Sequence, residues 1–330
     1  MIKFNPPSYQ LQKVPLSRID TGDDTYRITT RSNIEDLLIS IRHDGLLNPP
    51  LVFPRTTNFT VVGGFRRIAA CRKLGLAKIM VHVLGSNLSA LECLRIAIAD
   101  NAFQRPLDLL ETSRALYKLA THSHPGSHLN ELAASLGLPS NPSIIKKVKD
   151  LCLLPEEIQA GILDDTISLS MAGDLKVLPP DCAAAFGKLF GEFKLSLNKQ
   201  REIVTWVKEI ARREGIAEQT VLESRHLRAI IDDRDRDRGQ RAREIRSYLR
   251  QRRYPQIVKA EAKFENQRRR LNLGSNINLI PPKNFEATNY TLNLSFNSIA
   301  QLKTLHTKIH QLIQLPEFKQ IVEGKDNPSR

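Results

Sequence analysis

The run Val61-Val62-Gly63-Gly64-Phe65-Arg66-Arg67-Ile68-Ala69-Ala70 concentrates groups that could do chemistry. An apolar, strand-like stretch meets two glycines and then a helical pattern whose first turn carries two arginines. Glycines let backbone N–H groups approach an anion closely, and a helix N-terminus adds positive dipole. Two guanidinium groups supply charge and bidentate hydrogen bonds. The combination suits a phosphate held without a Walker lysine, and the G-x-x-x-x-G-K-[ST] pattern is absent. A tight turn with two solvated arginines is the plainer reading, and these residues leave both open.

A second group lies further on. Leu129 to Gly137 reads as a short helix closed by a glycine turn, and another helix starts near Asn141-Pro142-Ser143 and carries Lys146, Lys147 and Lys149. That is a helix-turn-helix pattern, whose second helix enters the DNA major groove. Ser140, Asn141 and Ser143 stand where such a helix meets base edges, and the three lysines can reach phosphates. An ordinary helical hairpin with a basic face is the competing reading.

Other reactive residues point to less. Cys71, Cys93, Cys152 and Cys182 are widely spaced, without a C-x-x-C pair, and their apolar flanks predict buried free thiols in a reducing cytoplasm. His122, His124 and His128 lie in a loop-like HSHPGSH stretch with no partner pattern for a structural metal. The 330 residues carry 49 Lys and Arg against 35 Asp and Glu, a net charge of +14 that makes a polyanion the first partner to consider. The charge is uneven. Residues 234–270 hold 14 Lys and Arg against 5 Asp and Glu, so nine of the fourteen net charges lie there and are expected to serve nonspecific backbone contact with DNA or to line a lumen for it. The alternating run from Asp232 to Arg238 reads as a solvated linker or helix face. No run of about 18 apolar residues exists and the opening MIKFNPPSYQ lacks an apolar signal stretch, so neither a membrane span nor a membrane partner is expected.

These residues need elements to position them. Leu11–Ile19 reads as a strand, followed by a helix that Ser32 caps with Glu35 as capping-box partner and that ends at Asp44-Gly45. Strands at Leu51–Phe53, Phe59–Val62 and Ile79–Leu84 enclose a helix over Ile68–Leu74, which makes an α/β unit. Helical periods then follow at Leu88–Ala99, Leu109–Ala120, Leu129–Leu136 and Pro142–Leu153, with another helix from Pro155. Strands return at Asn276–Ile280 and Tyr290–Phe296 before a closing helix at Ile299–Leu315, an end module of the kind that pairs across a two-fold axis.

The set Tyr26-Arg27, helix, D-G-L-L-x-P, strand, G-x-R-R-x-x-A and then Asp100-Asn101-Ala102-Phe103-Gln104-Arg105 resembles the ParB/Spo0J family of partition proteins over residues 11 to 180. The helix-turn-helix stretch, the Leu153-Leu154-Pro155 segment and "ISLSMAGDLKVLP" continue the match. The resemblance implies an α+β multidomain fold. Its parts are a ParB/sulfiredoxin-like α/β nucleotide-binding domain over 1–95, an all-helical helix-turn-helix domain over 96–180, a helical extension over 181–233, and a basic helical linker with a small α/β dimerisation module over 234–330. It implies CTP with Mg²⁺ as cofactors, double-stranded DNA as partner, and a homodimer that closes as a clamp, cytoplasmic and associated with nucleoid or plasmid. Carried over by residue, Arg27, Gly63, Gly64, Arg66, Arg67, Asn101 and Arg105 would bind nucleotide, and Asp100 with Asn101 would hold the metal.

Two positions depart from the family pattern. Phe65 and Asp100 each replace a glutamate, and Phe65 can neither coordinate nor position water, so CTP hydrolysis is expected to be weak or absent. A ParA-type ATPase is the family's other partner, but the first ten residues contain Lys3 and no arginine, so the arginine segment that stimulates it is not seen. Related folds offer other readings. Sulfiredoxin needs a cysteine where Phe65 stands, and a free-serine kinase would not need the helix-turn-helix. A transcriptional regulator of a mobile element would use the same fold as an interaction module.

Overall fold

The computed structural model describes residues 8–123 and 128–323. They fall into two compact units, Met1–Gln200 and Arg201–Arg330. The histidine stretch HSHPGSH lies partly outside the described residues, as does most of the N-terminal MIKFNPPSYQ.

The first unit opens with β1 (Tyr9–Pro15), β2 (Ile19–Asp20), α1 (Glu35–Asp44), β3 (Leu51–Pro54), β4 (Phe59–Gly63), α2 (Phe65–Lys73) and β5 (Lys78–Leu84). The strands form one mixed sheet in the order β1-β5-β3-β4-β2. β1 pairs antiparallel with β5 and β3 antiparallel with β4, whereas β3–β5 and β2–β4 are parallel. Leu38 and Ile41 of α1 and Ile68, Ala70 and Cys71 of α2 pack with Val52, Val61 and Val81 in one buried cluster. The helical period of α1 and α2 and the alternation in β5 thus bury their apolar residues together.

Several boundaries differ from the sequence expectation. The strand expected over Leu11–Ile19 stops at Pro15, and Leu16–Arg18 forms a 3-10 turn before β2. Proline lacks the N–H that would extend the ladder. Ser32 does not cap α1; the Asn33 side-chain oxygen accepts from the Glu35 N–H at 2.9 Å, and Ile34 occupies the cap position. Gly45 does end that helix, at φ 77°. α2 begins three residues before the expected Ile68, because Gly64 takes the left-handed conformation at φ 87° and turns the chain straight into the helix.

Helices follow without an intervening strand: α3 (Ala90–Ala102), α4 (Leu109–His122), α5 (Leu129–Ser135), α6 (Pro142–Val148), α7 (Glu156–Leu163), α8 (Leu169–Leu175) and α9 (Pro180–Phe193). Capping boxes start α3 at Ser89–Glu92 and α4 at Asp108–Glu111. The helix expected to run to Leu153 stops at Val148, with a 3-10 turn at Leu151–Leu153. α10 (Leu197–Glu214) carries the chain into the second unit.

The second unit continues with α11 (Glu218–Leu222), α12 (Arg225–Asp232), α13 (Arg238–Arg253), α14 (Pro255–Arg270), β6 (Ile277–Ile280), β7 (Thr291–Leu294), α15 (Ile299–Gln314) and α16 (Pro316–Glu323). β6 and β7 form an antiparallel pair. Phe264, Leu279, Phe285, Leu312 and Ile321 make its small core. The Asp232–Arg238 run does more than link: Asp237 caps α13 in a capping box with Gln240, and Arg236 pairs with Asp233 and Glu244.

The basic stretch is also less available than its charge implied. Arg246 pairs with Glu202 at 2.6 Å, Arg252 with Glu214 and Arg253 with Glu209, which fastens α13 to α10. Arg250 grips Glu261 with two hydrogen bonds of 2.7 and 2.6 Å, fastening α13 to α14. Exposed pairs of this kind are worth about 0–1 kcal/mol each, but they commit these guanidinium groups within the unit. Among the described residues no helix is long and apolar enough to cross a membrane.

Candidate functional site

A cavity of about 620 Å³ opens where the ends of β3 and β4 meet the start of α2 and the end of α3. Gly64, Arg66, Arg67, Asp100, Asn101 and Arg105 all line it, so the structure brings together the two boxes that the sequence places 35 residues apart. The glycines are there for space. A Cβ on Gly63 would stand 2.9 Å from Asp100 Oδ2, and one on Gly64 would stand 2.8 Å from Pro50 Cβ. At Gly64, whose φ is 87°, the backbone therefore passes only without a side chain, whereas at Gly63 the Asp100 carboxylate would have to move.

The cations are oriented by loop carbonyls. Arg66 donates Nε–H to the Asn33 carbonyl at 2.8 Å, and Arg67 donates to the Asn48 and Pro49 carbonyls at 2.7 and 3.3 Å. Arg67 also lies 3.7 Å from Asp100. Burial pulls its pKa below the ordinary arginine value and Asp100 opposes that, so it remains a cation. The Asn33 carbonyl holds Arg66 without neutralising it, which leaves positive charge at the cavity. An anion would be the stronger partner.

Arg105 differs. Its guanidinium grips Glu111 with two hydrogen bonds of 2.6 Å, and Glu111 is fully buried. Burial alone would push the Glu111 carboxyl up. Hydrogen bonds from Arg105, the Asp108 N–H and the Thr30 N–H outweigh it and bring the carboxyl to about 2. The Thr29 hydroxyl donates to the same carboxylate at 3.1 Å. Glu111 thus ties the loop after Arg27 and the cavity-lining Arg105 to α4. Arg27 itself is not among the lining residues; it lies 5.5 Å over the ring of Phe65, which does line the cavity.

For a metal, Asp100 offers a carboxylate that already accepts from Gln104 at 3.0 Å. Asn101 donates its amide N–H to the Ala97 carbonyl, which leaves its side-chain oxygen as the donor atom. No group of three or more His, Cys, Asp or Glu residues suited to a metal occurs among the described residues. A divalent ion here would share its shell with ligand phosphates and water, as Mg²⁺ commonly does, and a carboxylate with an amide oxygen fits that use.

The cysteines stay out of this chemistry. Cys71, Cys93 and Cys182 are buried, Cys152 is half-buried, and burial pushes the Cys93 thiol up to about 11.

In α6, Ile145 and Val148 face inward while Ser140, Asn141, Ser143, Lys146 and Lys147 are exposed. Lys149 is half-buried, 3.8 Å from Asp150. The Asn141 side-chain oxygen accepts from the Ser143 and Ile144 N–H groups, so it caps α6 as well as standing at its exposed start. Buried Ser113 of α4 donates to the Lys149 carbonyl and accepts from the Cys152 N–H, fixing the end of α6. Gly137, at φ 70°, makes the turn between α5 and α6.

Sequence reasoning missed Tyr9, Asn48, His82 and Gln104, which also line the cavity, and missed Glu111 and Ser113. Only the Asp108–Glu111 capping-box spacing offered a signal, and that spacing predicts a helix start rather than a buried ion pair.

The family model of the ParB N-terminal domain matches residues 5–102. The chain is 29% identical over 164 residues to the "Probable chromosome 1-partitioning protein ParB" of Deinococcus radiodurans, covering 49% of this chain and 54% of that one. It is 28% identical over 165 residues to the chromosome-partitioning protein ParB of Caulobacter vibrioides, covering 49% and 52%. The chain spans about half the length of these curated relatives. A crystal structure of C-terminally truncated ParB from Caulobacter crescentus with CTP-gamma-S matches at 25% identity and a TM-score of 0.27, over 56% of this chain and 99% of that one. Residues 5–102 match the ParB N-terminal domain, and about half of the chain is similar to ParB/Spo0J partition proteins.

Proposed function

We propose that this chain is a ParB-like DNA-binding protein of chromosome or plasmid partition. It binds CTP at the cavity and double-stranded DNA through α5 and α6. One observation carries the reading: Gly64, Arg66, Arg67, Asp100, Asn101 and Arg105, from separate elements, line a single cavity. Arg66 and Arg67 would hold phosphate oxygens in place of the loop carbonyls they now meet. Mg²⁺ held by Asp100 and Asn101 would neutralise phosphate charge when bound. Phe65 leaves the start of α2 without a carboxylate to orient water, so CTP acts as a ligand that is hydrolysed slowly or not at all. The domain division at 95, 180 and 233 assigns nucleotide to the first part and DNA to the second. The last part, around β6, β7 and α15, would pair two chains into a homodimer able to close on DNA as a clamp.

The test is recovery of bound DNA from the native genome with and without CTP. One clustered site that spreads into its flanks when CTP is added supports partition. A few isolated operators, unchanged by CTP, would overturn it in favour of regulation.

A further inference from the structure

The sheet ladder sets an order across the floor of the cavity. Gly63 of β4 pairs with Leu51 of β3, Leu51 with His82 of β5, and His82 with Leu11 of β1. Neighbouring strands lie about 4.8 Å apart, so His82 sits two strands, roughly 10 Å, from the glycine at the start of the arginine-bearing turn. That is the scale on which a nucleotide separates its base from its outer phosphates. The cationic groups come from α2 and the segment after α3. The β1–β5 side of the lining instead carries an aromatic pair, Tyr9 and His82, with ring centroids 4.6 Å apart and planes at 68°.

His82 has a second peculiarity. Its Nδ1 is buried with no hydrogen-bond partner among the described residues. Buried polar atoms are nearly always satisfied, and each exception needs a reason. An unpaired acceptor is tolerated better in the interior than an unpaired N–H. In the tautomer with the proton on Nε2, the unpartnered Nδ1 is an acceptor and the ring offers a single donor to a molecule in the cavity.

We infer that His82 is the base-reading residue of this site, its Nε2–H donating to the ring-nitrogen acceptor on the Watson–Crick edge of a cytosine, with Tyr9 holding the imidazole edge-on. The inference rests on the nucleotide reading above and adds selectivity to it. Cytosine presents an unprotonated N3, whereas uracil presents N3–H, which would set donor against donor. The outer phosphates then lie toward Gly63, Arg66 and Arg67, two strands away.

The experiment is calorimetric titration of the full chain with CTP and UTP, using wild type, His82→Phe and Arg66→Ala. His82→Phe keeps an aromatic ring against Tyr9 and removes the donor. It should lose about tenfold in CTP affinity, about 1.4 kcal/mol, and leave UTP nearly unchanged, so that the preference collapses. Arg66→Ala should weaken both nucleotides alike. Wild type titrated with 3-deaza-CTP, which has C–H in place of N3, should show the same loss as His82→Phe, and this arm decides the matter if the variant does not fold. An unchanged CTP-to-UTP ratio in His82→Phe, or full-strength binding of 3-deaza-CTP, with Arg66→Ala still impaired, overturns the role of His82 and leaves the nucleotide site standing. Absence of binding by either nucleotide to wild type overturns both.

Discussion

Replacing Glu111 by Gln should destabilise the first unit, and its effect should shrink in acid. Glu111 is fully buried, holds Arg105 by two 2.6 Å hydrogen bonds and accepts from the Asp108 and Thr30 N–H groups. Its carboxyl falls from 4.5 to about 2 in the folded chain. A depressed carboxylate stabilises the fold above its unfolded pKa, and that stability is lost as pH falls toward the folded pKa. At 1.36 kcal/mol per pKa unit, the shift corresponds to about 3 kcal/mol at pH 7. Linkage reduces this to about 2 kcal/mol at pH 3.5 and removes it below about pH 2. Glutamine keeps the shape but cannot charge-pair with Arg105. With about 2–4 °C per kcal/mol for a unit of this size, Glu111→Gln should melt about 6–12 °C below wild type at neutral pH. The assay is thermal unfolding of both chains at pH 7 and pH 3.5, followed by circular dichroism. A fall of less than 2 °C at pH 7, or a gap that does not narrow in acid, would refute the reasoning, because either would mean that the carboxylate is not held charged by these donors.

Gly64→Ala should cost about 1–3 kcal/mol from the left-handed backbone alone and should also weaken nucleotide binding, measured by chemical denaturation and titration. Asn141→Ala should remove the α6 cap, costing about 1 kcal/mol, and should change sequence preference in DNA-binding assays across several sites. Lys146 and Lys147 changed together to Ala should weaken binding to all sequences alike and shallow the slope of log K against log salt by about 2; a loss confined to one sequence would mean that they do not contact phosphates. Purified protein should turn over CTP little above a protein-free control. Robust Mg²⁺-dependent turnover that Arg66→Ala abolishes would contradict the role given to Phe65.

The α/β part was legible because its signals are local. Gly64 and Gly45, both at positive φ, mark turns that need no distant partner, and the apolar periods of α1 to α4 report burial directly. What escaped was set by partners remote in sequence. Glu111 lies in a helix where a glutamate reads as surface charge, and only the folded chain brings Arg105, Thr29 and Thr30 to it. Tyr9 and His82 look like ordinary strand residues until β1 and β5 pair. The arginines of α13 looked available for phosphates because Glu202, Glu209 and Glu214, about 40 residues earlier, bear no sequence mark of pairing with them. Both arginines of the Gly-Gly box lie in the first turn of α2, which starts three residues before the helix expected over Ile68–Leu74. Their hold on the Asn33, Asn48 and Pro49 carbonyls depends on loops that no pattern announces.

The central claim, that one cavity built from both boxes takes CTP, is tested most directly by titrating the full chain with CTP beside Arg66→Ala and Arg67→Ala. Saturable binding by wild type, weakened at least tenfold in each variant while their folding transitions stay intact, is the predicted result. No binding by wild type, or binding that both variants retain in full, would contradict it.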